Sequence, residues 1–158
     1  MSVDTAVQLL VDAGVEFVII GGWSAILHGR DKGGIDLDLC LSRESDNLRR
    51  LLQALAPFHP RSRDLSEGSP FNWDEATLRN ATILKLDTDL GPIDLHAEVS
   101  GLGAYEEVKA ESITVEAFGR RVHTLDLKSL IKAKRAAGRA KDIQILPELE
   151  SLLEAEEP

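Results

Sequence analysis

Cysteine is almost missing from this chain: Cys40 is the one such residue in 158. An internal disulfide is thereby excluded, and the usage fits a reducing compartment. No apolar run approaches the roughly 20 residues that span a bilayer. The first stretch, MSVDTAVQLLVDAG, is acidic and helical in pattern and lacks a basic leader. A cytosolic protein with no membrane partner is expected. Positive charge is scarce as well, 18 Lys and Arg against 27 Asp and Glu for a net charge of −9, which argues against bulk attraction to nucleic acid or anionic membrane. There is no Walker A ending in GKS or GKT and no full dinucleotide fingerprint. Cys40 and the scattered histidines do not supply the nitrogen and sulfur spacing of a zinc site.

What remains is an ordinary soluble composition. A length of 158 residues suits one domain, and 43% hydrophobic with 28% charged residues is near the average. Val3, Ala6, Val7, Leu10 and Val11 share one face of a predicted helix over Val3–Ala13, stopped by Gly14. EFVIIGG reads as a buried strand turning sharply at its glycines, followed by a short helix over Trp23–His28. Ile35–Leu41 is a second strand, and Ser42–Leu55 a capped helix ending before Pro57. The segment 57–80 is polar, rich in turn residues and without a period, and reads as a long loop. Two hairpins follow, turning at Thr88–Gly91 and at Phe118–Arg120. Asp126 caps a helix running to Ala137 and stopped by Gly138, and a last helical stretch is expected to be split by Pro147. The pattern predicts an α/β or α+β fold, a mixed sheet flanked by helices.

The stretch GGIDLDLCL carries the most chemistry. Strict alternation places Asp36 and Asp38 on one strand face, opposite Leu37, Leu39 and Leu41. In GPIDLHAEV, Asp94, His96 and Glu98 alternate with Ile93, Leu95 and Ala97 in the same way. If the two strands are neighbours, Asp36, Asp38 and Asp94 converge. Such carboxylates need a cation, and hard oxygen ligands suit Mg²⁺. The alternative is a wet acidic strand face. Gly21-Gly22 at a strand end, with free N–H groups at a helix start, forms a turn that accepts a phosphate, although the pair also makes a plain tight turn. Near the C-terminus six of the 18 basic residues crowd into positions 128–141. Lys134 falls on the apolar stripe of Leu127, Leu130 and Ile131, whereas Lys128, Lys132, Arg135 and Arg139 form a separate, solvated face. For Lys134 itself, a snorkelling lysine at the core edge is the alternative.

Taken together, GGWSAILHG, KGGIDLDL and GPIDL resemble the polymerase-β-like nucleotidyltransferase superfamily. LIKAKRAAGRAKD looks like the basic helix of its abortive-infection-type toxin branch and small relatives, so that the likeness covers roughly residues 17–146. The resemblance implies one nucleotidyltransferase-like domain over 1–158, with a core of about 14–146 and a helical C-terminal part over 126–158. It implies that Gly21, Gly22 and Ser24 touch nucleotide phosphates, and that Asp36, Asp38 and Asp94 are both catalytic and metal-binding. Lys32, Lys134, Arg139, Lys141 and Asp142 are implied as further nucleotide-binding positions. The implied cofactor is Mg²⁺, as two ions with Mn²⁺ as a substitute. The implied partners are an NTP, a hydroxyl acceptor (RNA, protein or small molecule) and, for the toxin branch, an antitoxin. Those relatives carry an arginine and a threonine before the paired acids, where Lys32 and Gly34 stand here, and Ile145 replaces a further aspartate. The expected activity is transfer of an NMP from an NTP to a hydroxyl. The alternative is a catalytically silent nucleotide-binding or partner-binding relative. Among the acceptors, a small molecule would need a pocket, for whose roof Phe71 and Trp73 of the 57–80 loop are candidates.

Overall fold

The computed structural model describes residues 3–31, 36–65 and 69–156. Helix α1 (Val3–Asp12) is followed by β1 (Phe17–Ile20), α2 (Gly21–Leu27), β2 (Leu37–Leu41) and α3 (Ser45–Leu55). Then come β3 (Arg61–Ser62), α4 (Glu75–Asn80) and the hairpin of β4 (Ile83–Thr88) with β5 (Gly91–His96). The short strands β6 (Glu98–Val99) and β7 (Gly103–Ala104) pair with each other ahead of α5 (Tyr105–Ala110). A second hairpin, β8 (Ser112–Ala117) and β9 (Arg120–Leu125), leads into α6 (Leu127–Ala137) and α7 (Ala140–Glu156).

The other seven strands form one mixed sheet in the order β3-β4-β5-β2-β1-β9-β8. β2 runs parallel to β5, and β1 to β9, while the other neighbours are antiparallel. Alternation along each strand divides the buried side chains between two faces. On the first face Ile19, Leu37, Leu39, Ile93 and Leu95 pack against Leu10 of α1 and Leu48, Leu51 and Leu55 of α3. On the second, Val18, Ile20 and Cys40 meet Tyr105 and Val108 of α5, Leu130 and Ile131 of α6, and Leu146 and Leu149 of α7. That second core draws on β1, β2 and β9 and takes nothing from β4 or β5. The second face therefore changes from apolar to polar in passing from β1 to β5, and Asp38, Asp94 and His96 stand at this boundary.

Both predicted hairpins and the Asp126-capped helix are present. The Asp126 carboxylate accepts from the Ser129 N–H at 2.7 Å, and Gly138 closes α6 in the left-handed region at φ +66°. Several readings change, among them the start of α2 at Gly21 rather than Trp23 and of β2 at Leu37 rather than Ile35. Helix α3 starts at Ser45, not Ser42, because the Asn47 amide bonds the carbonyls of Ser42 (2.8 Å) and Glu16 (3.0 Å) and holds the entering chain extended. Segment 57–80 is not one loop: residues 61–63 extend the sheet beside β4, and Asp74 caps α4 by accepting from the Thr77 N–H at 2.9 Å. Pro147 does not split the last helix. It removes one N–H, the partner of the Ile143 carbonyl, but Ile143 lies on the exposed face, where water can replace that bond. No helix among the described residues is long and apolar enough to cross a membrane.

Candidate functional site

The sheet register brings the acids together. β2 and β5 lie side by side with Asp38 opposite Asp94, so alternation puts both carboxylates on the polar part of the second face. Asp36 precedes β2 and is 45% exposed, whereas the Asp94 side chain is only 9% exposed. Asp38 also faces Ile20 across the β1–β2 ladder, so the start of α2 sits directly over it. Gly21 adopts φ +66°, a conformation that favours glycine, and a Cβ there would lie 2.8 Å from Asp38 Oδ2. The glycine turn and the paired acids form one site.

Two groups not assigned from the sequence complete the cluster. His96 Nε2 lies 2.9 Å from Asp38 Oδ1. Arg63, just beyond β3, donates from Nη2 to Asp94 and stands 3.6 Å from Asp36 Oδ2. Its other nitrogen, Nη1, donates to the Leu86 carbonyl at 2.7 Å and lies 3.8 Å from Asp87. Alternation on β5 already placed His96 beside Asp94. Arg63 gave no such signal, since it comes from an aperiodic segment.

Burial pushes the Asp94 carboxyl above its ordinary range, and the neighbouring Asp38 and Asp36 charges add to this against the opposing pull of Arg63. A raised carboxyl is a stronger proton acceptor than an ordinary aspartate once ionised. Burial likewise pushes the Cys40 thiol up to about 12, so it is not a thiolate ligand or nucleophile at neutral pH.

The donor set of Asp36, Asp38 and Asp94 has the all-oxygen, multiply anionic chemistry that Mg²⁺ or Mn²⁺ takes. Its present arrangement is not closed around an ion. Asp38 is turned to His96 and Asp94 to Arg63, and among the described residues no three Asp, Glu, His or Cys side chains are gathered tightly enough to enclose a metal.

The basic positions divide. Lys134 Nζ lies 3.2 Å from Asp142 Oδ1, and Arg139 Nε donates to Asp142 Oδ2 at 2.7 Å. The Asp142 side chain is 0% exposed, Lys134 is 15% exposed and Arg139 60%. Asp142 thus ties α6 to α7, and its hydrogen bond is the main cause that holds the Arg139 guanidinium charged, with a smaller contribution from the Asp38 charge. Lys128, Lys132 and Lys141 are exposed, as is Arg135, which pairs with Glu150 of α7. Ser24 is fully buried on the inward face of α2, where its Oγ accepts from the Thr124 hydroxyl of β9 at 2.6 Å. Lys32 lies outside the described residues. Phe71 and Trp73 do not roof the acids: both pack on the first-face core, and Trp73 Nε1 donates to the Leu52 carbonyl of α3 at 3.0 Å.

Burial alone would raise the Asp142 carboxyl, but hydrogen bonds from Arg139 and Lys134 outweigh it and hold the group below the usual range. A lowered folded value contributes stability that is complete above the ordinary carboxylate range and is lost as pH falls through that lowered value. Asp142→Asn should cost about 3 kcal/mol at pH 7, because it leaves the largely covered Lys134 without its counter-ion. Urea midpoints of the two proteins should converge as the pH is taken below the ordinary carboxylate range.

No protein-family model matches the chain, and neither does any curated protein sequence. Solved structures do. The lincosamide antibiotic adenylyltransferase LnuA, in its lincomycin-bound crystal structure, superposes with a TM-score of 0.62 at 12% identity over 94% of each chain. A nucleotidyltransferase candidate from Thermotoga maritima gives 0.57 at 14% identity over 96% of each. The chain shares the mixed-sheet α/β fold of these nucleotidyltransferase structures.

Proposed function

We propose that this protein transfers a nucleoside monophosphate from an NTP to a hydroxyl acceptor. The observation that carries the reading is the register of β2 against β5, which sets Asp38 beside Asp94 under the Gly21 turn. Asp36, Asp38 and Asp94 would hold the divalent cation, which when bound neutralises triphosphate charge and polarises the attacking hydroxyl. The amides of Gly21 and Gly22 and the side chains of Arg139, Lys134 and Lys141 orient the phosphates. Asp94, whose side chain is only 9% exposed, accepts the hydroxyl proton. The acceptor oxygen forms a bond to the α-phosphorus, the bond from that phosphorus to the α–β bridging oxygen breaks, and pyrophosphate leaves with the electron pair. Among the acceptors, a small hydroxylated molecule has the most support: the chain is acidic overall, and a protein of its fold acts on a lincosamide antibiotic.

One observation favours a second reading, a nucleotide-binding relative without turnover: Arg63 already supplies a positive charge to Asp94 and Asp36. Pyrophosphate release separates the two. Each NTP with Mg²⁺, offered a panel of aminoglycoside and lincosamide hydroxyl compounds, tRNA and protein, should yield acceptor-dependent pyrophosphate. Tight Mg²⁺–NTP binding with no release across the panel would establish the silent relative instead.

A further inference from the structure

Arg63 has a divided grip. One guanidinium nitrogen, Nη1, is anchored to the β4 edge through the Leu86 carbonyl and Asp87, neither of which belongs to the acid cluster. The other, Nη2, donates to Asp94 and lies 3.6 Å from Asp36. Its backbone is fixed too, since the Arg63 N–H donates to the Lys85 carbonyl at 2.9 Å, next to the residue pair Lys85–Asp94. The side chain is only 22% exposed. It is therefore held by the sheet edge, with Nη2 presented to two of the three acids.

Three neighbouring carboxylates repel unless a cation lies among them. Arg63 meets this need at Asp94 and Asp36, and His96 holds Asp38 by a separate contact. An entering metal ion competes with Nη2 for Asp94 Oδ1 and for the space beside Asp36 Oδ2. We propose that Arg63 is a resident counter-ion of the acid cluster, exchanged at Nη2 for the incoming divalent cation, so that it stabilises the metal-free protein and weakens metal affinity. Because Nη1 keeps its hold on β4, the exchange is a swing of the guanidinium about that anchor rather than departure of the segment. The freed donor remains beside the site, where a phosphate oxygen on the nucleotide can accept from it. Arg63 is thus a positioning residue for metal loading. The inference rests on the reading of Asp36, Asp38 and Asp94 as metal ligands.

The test uses the full chain, with Mn²⁺ alone as the probe and no nucleotide. Arg63→Gln should unfold at a lower temperature than wild type in chelator, with Arg63→Lys between them. By calorimetry Arg63→Gln should bind Mn²⁺ on the order of tenfold more tightly, the effect of removing one competing charge. Its thermal shift on adding Mn²⁺ should exceed that of the wild type. Asp38→Asn should bind Mn²⁺ more weakly in either background. If Arg63→Gln binds Mn²⁺ no more tightly than wild type, the exchange is overturned while the metal site stands. If neither protein binds Mn²⁺ in an Asp38-dependent way, the metal site fails and the exchange fails with it. Should Arg63→Gln not fold, Arg63→Lys carries the comparison: its amine cannot span both the Leu86 carbonyl and Asp94, so it too should bind Mn²⁺ more tightly than wild type, and equal or weaker binding would overturn the exchange.

Discussion

Asp38→Asn and Asp94→Asn are each expected to lower nucleotidyl transfer by on the order of 10³-fold or more, since each removes a charge on which metal chemistry and proton transfer depend. The fold should survive both changes. Asparagine is nearly isosteric with aspartate, and its carbonyl oxygen still offers an acceptor to His96 in place of Asp38, or to Arg63 in place of Asp94. The Asp94 carboxyl is raised chiefly by burial, so its charge is already disfavoured in the folded protein and removing it costs little stability. The paired readout is turnover against thermal midpoint: activity lost, midpoint nearly kept. A variant that keeps full turnover would remove its residue from the chemistry, and one that unfolds would make it structural.

Gly21→Ala should have a second large effect, by a route separable from the first. An added Cβ would stand 2.8 Å from Asp38 Oδ2 and 3.3 Å from Asp38 Cγ, so the carboxylate must move. The backbone at φ +66° also costs an alanine roughly 1 kcal/mol, the penalty of left-handed geometry for an L side chain. Gly138→Ala is the control, because Gly138 has the same φ of +66° but its nearest contact for a Cβ is 3.6 Å away. Both variants should lose comparable stability from the backbone. Gly21→Ala alone should lose activity, by about 10²-fold if a displacement of the carboxylate near 1 Å follows. Equal activities would mean that the position of Asp38 beneath the turn does not matter to the reaction.

The parts of the fold legible in the sequence were those with local causes. The turn at Thr88–Gly91, the Asp126 cap and Gly138 all act within a few residues of the structure that they specify. The alternation of acids and leucines around Asp38 and Asp94 was equally local, and it placed both carboxylates on the correct strand face, whereas Asp36 lies just ahead of β2. Their convergence needed the parallel β2–β5 pairing, which no local pattern encodes. The less visible features are long-range. His96 meets Asp38 across 58 positions of chain, and Arg63 meets Asp94 across 31. Arg63 comes from a segment whose strand is two residues long, too short to show a period. Phe71 and Trp73 read as binding-site aromatics because they sit in a polar stretch, yet they serve the core beneath α3. Pro147 marked a break that did not occur, because the carbonyl it leaves without a partner belongs to an exposed residue.

The acid cluster is read as the site where an NMP leaves its triphosphate. The most direct measurement gives the protein one NTP labelled at the α-phosphate and the same NTP labelled at the γ-phosphate, each with Mg²⁺ and a hydroxyl acceptor. The expected result is transfer of the α label to the acceptor, with the γ label leaving as pyrophosphate, and no transfer by Asp38→Asn. Transfer of the γ label, or α transfer undiminished in Asp38→Asn, would contradict it.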